Sequence, residues 1–456
     1  MLNFFKKLLY KLGIDKAIGY TVLTRLLQAF GGIITLLFIV AFLTEKEQGY
    51  YYTFGSILAL QIFFELGLSG IITQYVAHET ADLDWLSNTQ YSGPSKAISR
   101  IASLLRFSVK WFTIVSILLF VVLLIAGFVF FNFYGNEEKV IKWEGAWILL
   151  CLTTSSSFVL SLFFSFLEGL GKIQEIAKIR FFQQVVQIAT IFLFFNIGLK
   201  LYSAPLAYVC ALLVSFLSLF FSELKVLLKA FWMEIGEYKV NYRTEIFPFQ
   251  WKIALSWVSG YFIFQLFNPV LFATEGAIIA GQMGITITVL SSILNLTLSW
   301  ATTKIPIYSK FIAEANYRAL DALFTRTLLQ STVINILCLT CFLIILYFIR
   351  SYNVEISGHY FGDRFLAWLP LFLMLVPTLL NHVISSLATY LRCHKREPLL
   401  LQSIVVGILC AISTITLGSS FGVNGITFGY CSIMCLSFVW TVMVFLVKRK
   451  EWHHDA

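Results

Sequence analysis

Fifty consecutive residues, Pro398 to Val447, contain no Asp, Glu, Lys or Arg. One helix crosses a hydrocarbon core about 30 Å thick with roughly 20 apolar residues, so this stretch predicts two crossings. The rest of the chain continues the pattern. Hydrophobic residues make up 59% of it and charged ones 12%, whereas a soluble domain is roughly half apolar and a quarter charged. Apolar stretches predict helices near 17–43, 50–76, 108–132, 146–167, 178–197, 203–222, 250–272, 277–303, 327–349, 365–390, 398–417 and 425–447. The expected fold class is therefore an all-α integral membrane protein of about 12 transmembrane helices. The first span is too long for a cleaved signal peptide, and no small-residue cleavage site follows it.

Basic residues orient the chain. Most of the 33 Lys and Arg residues lie in the N-terminal segment, the C-terminal tail and alternate connections, among them Lys96, Arg100, Arg106, Lys225, Lys229, Arg243 and Arg392. The opposite side holds only Lys46, Lys139, Lys142, Lys200, Arg350 and Arg364. Cytoplasmic loops carry the excess of Lys and Arg, so both termini are expected in the cytoplasm. The net charge of +9 is then an orientation and headgroup signal, and nucleic-acid binding is not expected.

The chain repeats itself weakly. "IITQYVAHETA" follows the second span and "TTKIPIYSKFIAEA" the eighth, each leading to an amphipathic cytoplasmic segment with an Arg (Arg106, Arg326) and a new span. A six-span period keeps the two halves in the same orientation, the plan of parallel-repeat transporters with a site between the halves near mid-membrane. The expected organisation is a six-helix bundle over 1–222, a cytoplasmic linker over 223–249 and a second bundle over 250–456.

Several chemistries find no support. The eight cysteines lack CxxC spacing and lie mostly inside apolar runs, so neither disulfides nor a metal site is expected. No GxxxxGK[ST] phosphate loop is present, no outer connection exceeds about 16 residues, and no cofactor or catalytic role is expected. A membrane enzyme, such as a polysaccharide polymerase or ligase, is the least favoured reading.

Polar groups inside the spans carry the functional argument. Arg25 lies roughly 12 Å deep in the first span and Glu65 roughly 16 Å deep in the second, at 1.5 Å per residue. A charge inside lipid costs several kcal/mol unless it faces a partner or a watery cavity. A guanidinium binds phosphate oxygens through two parallel hydrogen bonds, so Arg25 is a candidate anchor for an anionic headgroup. Glu65 is a candidate ion-coupling partner, and a buried pair that only fixes packing is the alternative. Gln61, Glu65 and Ser69 share one helix face by spacing. Further candidates are Arg180, Gln184 and Gln187 in span five, Gln265 and Asn268 beside Pro269 in span seven, Asn295 in span eight, and Asn381 and His382 in span ten. Polar stripes in five spans predict one shared hydrated cavity; interhelical hydrogen bonding is the competing explanation.

The run from Lys16 to Glu79 resembles the start of polysaccharide flippases of the multidrug/oligosaccharidyl-lipid/polysaccharide (MOP) exporter superfamily. The marks are Arg25 in the first span, Glu47, Gly49 and Tyr50 at the start of the second, "ELGL" at 65–68 with Gln74 after it, and the turn "LEGLGK" at 167–172. The resemblance implies a MATE-like fold in the bacterial inner membrane. It implies flipping of undecaprenyl-diphosphate-linked oligosaccharide repeats for O-antigen, capsule or exopolysaccharide, with Arg25 a diphosphate contact. Implied partners are the lipid-linked oligosaccharide, membrane lipids and a polysaccharide polymerase or chain-length machinery. A multidrug or small-molecule cation antiporter of the same superfamily is the alternative.

Overall fold

In the computed structural model, the described residues are 24, 27, 31–32, 34–135, 141–234, 236–356, 358–394 and 396–454, without the side chains of 249, 252 and 454. Almost all of them are helical. Among the described residues, nine helices are long and apolar enough to cross a membrane, and ten if the bent pair Glu45–Glu65 and Leu68–Thr80 counts as one span. The last of them, Leu400–His454, is 55 residues long and leaves helical geometry at Gly422 (φ 58°, ψ −141°). At 1.5 Å per residue it is more than twice the thickness of a hydrocarbon core, so it reads as two crossings. A count of twelve is consistent with this, since about half of the expected span 17–43 lies outside the described residues.

The described residues divide into two compact units. One contains Met1–Phe38 and Leu60–Ala254, the other Ile39–Ala59 and Leu255–Ala456. Residues 39–59 thus pack with the C-terminal half of the sequence, and the reason is local. Thr44 and Glu47 form a capping box at the start of Glu45–Leu58: Thr44 N–H donates to Glu47 Oε2 (2.8 Å) and Glu47 N–H to Thr44 Oγ1 (3.2 Å). This satisfies helix-start donors that would otherwise have no partner. One turn on, Gly49 approaches the helix Ala277–Thr302 so closely that an added Cβ would sit 1.9 Å from the Ala277 carbonyl oxygen. Gly281 faces it, with the Gly49 nitrogen 2.9 Å from its own Cβ position. Small residues let backbones approach in lipid, where packing rather than water expulsion drives association. Tyr50 is fully buried and meets Phe272 edge-on at 5.0 Å.

In the unit of residues 60–254, the helix Ser95–Tyr134 runs for 40 residues, and in the other unit Tyr317–Ser351 runs for 35. The sequence suggests separate amphipathic segments before these spans, whereas each joins its span as one continuous helix. No Pro or Gly interrupts the residues from Ser95 to Ala126, nor any of 317–351, so nothing ends either helix at the membrane surface. The first carries Arg100 and Arg106 on its basic extension.

Two expected helices are instead broken. The second span bends by 41° after Glu65, where Leu66 (φ 49°) and Gly67 (φ 70°) take left-handed conformations. A left-handed Leu costs roughly 1–2 kcal/mol. The seventh splits into Phe247–Phe264 and Phe267–Glu275. Pro269 lacks an N–H and its ring crowds the carbonyl four residues back, that of Gln265, which is where the break falls. Pro377, by contrast, lies within the unbroken Trp368–Cys393 helix. At Gly422 an added Cβ would strike the Glu275 carboxylate, which accepts from Val423 N–H at 2.9 Å. An acid at a helix N-terminus offsets the dipole there.

Candidate functional site

Of the sequence-derived candidates, Arg25 lies outside the described residues. Gln61 and Glu65 are half-buried on the stretch just before the bend. Among the described residues Glu65 makes no ion pair or hydrogen bond with another side chain. The bend also separates Ser69 from the face shared by Gln61 and Glu65, because two left-handed residues reset the helical phase. Glu65 therefore sits at the end of a helix rather than in the middle of one, at the point where the span changes direction.

Arg180, Gln184 and Gln187 lie on Ile173–Asn196. Arg180 pairs with Glu168 (Nη1 to Oε1, 2.8 Å), which follows the apolar body of Glu144–Gly169, and rests over the Phe164 ring at 5.6 Å. Gln187 is half-buried on the same helix as Arg180. Gln184 is half-buried.

The remaining candidates belong to the unit of residues 39–59 and 255–456. Gln265 occupies the break made by Pro269. Asn268 is buried, donates from Nδ2 to Ser56 Oγ (3.2 Å), and leaves Oδ1 without a partner among the described residues. A buried acceptor left unmade costs about 1–3 kcal/mol. Asn381 donates to the Tyr430 hydroxyl at 3.0 Å. His382 is fully enclosed, with Nδ1 3.3 Å from Thr297 Oγ1 and Nε2 3.0 Å from Ser331 Oγ. Asn335 extends that network by donating to Thr297 Oγ1 at 2.9 Å, and its own Oδ1 has no partner among the described residues. Asn295 is exposed on Ala277–Thr302, whereas the nearby Thr288 and Ser292 hydroxyls bond back to their own helix (Gly284 and Thr288 carbonyls, 2.8 and 2.7 Å). Each buried amide or imidazole among these candidates is thus held by a hydroxyl from a neighbouring helix. None of the candidates hydrogen-bonds directly to another among the described residues.

Two polar clusters escaped the sequence reading. Arg364, fully buried in the connection 351–367, donates to the carbonyls of Leu43 (2.7 Å) and Val40 (3.4 Å) and to Gln48 Oε1 (3.2 Å). Gln48 returns Nε2 to the Gly281 (2.9 Å) and Arg364 (3.3 Å) carbonyls. Burial lowers the Arg364 pKa from its ordinary value, partly offset by Glu45 and Glu47. Arg350 staples the same connection through the carbonyls of Gly362, Phe365 and Leu366. In the other unit, Arg100 pairs with Glu79 (2.7 Å) and Glu245 (2.6 Å), and Ser99 and Ser103 bond the backbone of Tyr238 and Val240. The segment expected as a linker is bound along the Ser95–Tyr134 helix. The available signals were faint: Arg364 is one of the few basic residues on the sparse side, and Gln48 stands beside the Glu47–Gly49–Tyr50 mark.

No protein-family model matches the chain, and no curated protein matches it in sequence. Solved structures do. The lipid II flippase MurJ, in an inward closed conformation, is 12% identical, with 94% of this chain and 88% of that one covered at a TM-score of 0.56. The MATE multidrug transporter DinF-BH, solved as a complex, is also 12% identical, with 95% of each chain covered and a TM-score of 0.56. An inward-facing multidrug resistance MATE family transporter of the MOP superfamily is 14% identical, covering 92% of this chain and 99% of that one at 0.53. At this identity the likeness speaks for the fold: this is an almost entirely helical, multi-pass membrane protein with the fold of the MOP-superfamily transporters and flippases.

Proposed function

We propose that the chain is a flippase that moves a polyprenyl-diphosphate-linked oligosaccharide across the bacterial cytoplasmic membrane by alternating access, and is not an enzyme. The observation that carries this reading is the chemistry of the polar groups within the spans. They are mostly amides, namely Gln61, Gln184, Gln187, Gln265, Asn268, Asn295 and Asn381, with His382 among them. Amides both donate and accept, which suits a polyhydroxylated headgroup. A dedicated cation site calls for several embedded acids, and Glu65 stands alone in the middle of its span. Arg25 is assigned to the diphosphate, Glu65 to ion coupling, and the O-antigen, capsule or exopolysaccharide polymerase machinery to the next step.

A second reading is a multidrug exporter, favoured by the MATE transporters among the structural neighbours. Proteoliposomes containing the full chain separate the two. A lipid-linked oligosaccharide should change leaflet while a cationic rhodamine dye is not transported; dye transport without lipid flipping would reverse the assignment. In the same assay Arg25→Ala should abolish flipping with membrane insertion intact. Glu65→Gln should shift the pH or ion dependence of the rate more than the substrate affinity. An unchanged dependence would remove Glu65 from coupling.

A further inference from the structure

An apolar groove of about 570 Å³ lies wholly within the unit of residues 60–254 and is lined by none of the candidates above. Its walls come from three spans, with Val159, Phe163, Leu213 and Phe216 among them, and Lys225 stands at one end. That volume is typical of a small-molecule site. Leu213, Phe216 and Phe220 are about half exposed, so the groove opens sideways toward lipid rather than into a closed interior. The end bearing Lys225 belongs to the short helix Leu224–Met233, which buries Leu224, Leu227 and Phe231 and leaves Val226 and Met233 largely exposed. A short helix with both apolar faces and lysines at Lys225 and Lys229 is built to lie in the interface plane.

This helix is held firmly in place. Arg106 donates through Nε and Nη2 to the Trp232 carbonyl (3.2 and 3.0 Å), and the Phe231 ring stacks on Tyr91 at 4.3 Å between centroids. The Lys225 ammonium lies 3.6 Å from the Phe220 ring centroid, where the apolar wall ends. Among the described residues no carboxylate pairs with it, although Glu223 is two residues away. An apolar slot for a chain thus ends at an exposed ammonium with no carboxylate partner among the described residues, on a helix suited to the interface plane.

We propose that this groove is a binding site for one anionic phospholipid, with an acyl chain along Val159, Phe163 and Phe216 and the phosphate at Lys225. The charge complementarity selects an anionic headgroup, and the lateral opening gives the site to the lipid that surrounds it at all times. One lysine near a charged membrane surface is worth about fivefold in lipid preference.

The test is native mass spectrometry of the full-length protein, purified in detergent and supplied with equal amounts of phosphatidylglycerol, phosphatidylethanolamine and undecaprenyl phosphate. The wild type should retain one phosphatidylglycerol, about fivefold over phosphatidylethanolamine. Lys225→Gln should bring that ratio close to one. Ser156→Trp, which fills the groove from its wall, should remove the retained lipid, and its melting temperature checks folding. Equal retention of the two phospholipids by the wild type overturns the proposal, as does retention unchanged in both variants. Preferential retention of undecaprenyl phosphate overturns it as well, by giving the groove to a polyprenyl chain instead.

Discussion

Arg364 and Arg100 do similar work with opposite chemistry. Each gathers segments distant in sequence into its own unit. Arg364, fully buried, uses two backbone carbonyls and an amide oxygen. Arg100, about one-fifth exposed, uses two carboxylates. The difference follows from burial. Enclosing a salt bridge removes two ions from water, and their attraction often fails to offset that cost. Neutral carbonyls let Arg364 keep its hydrogen bonds with only one charge desolvated. Where water still reaches, as at Arg100, carboxylates are tolerated, and the bond becomes sensitive to salt and acid.

The largest expected effect breaks the buried cluster. Arg364→Leu strands the Val40 and Leu43 carbonyls and the Gln48 amide oxygen, at about 1–3 kcal/mol for each buried group left without a partner. Thermal unfolding of the detergent-solubilised protein should show a clear loss of stability that barely changes between pH 5 and 8, since the hydrogen bonds of Arg364 run to neutral carbonyl and amide oxygens. An unchanged midpoint would mean that the carbonyls find water once the guanidinium is gone.

Next in size is the close approach beside that cluster. Gly49→Val puts a branched side chain where a Cβ already meets the Ala277 carbonyl oxygen. Overpacking of this kind costs about 1–3 kcal/mol, and Gly281→Ala should act in the same direction, more weakly. If Gly49→Val melts like the wild type, the two helices are not in the contact described.

The smallest effect lies at Arg100, and it sharpens the contrast because it depends on conditions. The hydrogen bond from Arg100 holds the Glu245 carboxyl below its ordinary value, helped by the Asn241 N–H. A carboxyl depressed in the folded state contributes stability above the unfolded value of about 4.3 and loses it as pH falls through the lower folded value. Glu245→Gln should therefore cost no more than about 1 kcal/mol at pH 7, given its exposure. The gap between the two melting curves should close below about pH 4 and shrink in 1 M salt, where screening reaches within roughly 3 Å. A gap that persists in acid would assign the effect to the neutral bond with Asn241.

The sequence signals differ in how far they could be read. Pro269 announced a break because its geometry acts on its own neighbours, and the chain opens at Gln265 as that geometry requires. The bend after Glu65 was written in Gly67, yet the residue before it is a Leu, which seldom turns left-handed, so the local signal pointed two ways. Glu47, Gly49 and Tyr50 were recognisable as a mark without their purposes being visible. Glu47 caps a helix, Gly49 permits an approach to Ala277, and Tyr50 packs on Phe272; the last two roles depend on residues more than 200 positions away. His382 was legible as a polar residue in a span, whereas its enclosure by Thr297, Ser331 and Asn335 was not.

The sequence by itself determined that the chain lives in a bilayer and crosses it many times. Hydrocarbon tolerates no unpaired backbone, so length and apolarity suffice to write the helices. Which helices touch is another matter, because lipid offers no bulk hydrophobic force to choose among apolar faces. That choice rests on small residues, carbonyls and a few polar side chains meeting from far apart in the chain. Only the tertiary structure decided that residues 39–59 pack with the C-terminal half, that Arg364 is buried among carbonyls, and that Lys225 closes a groove.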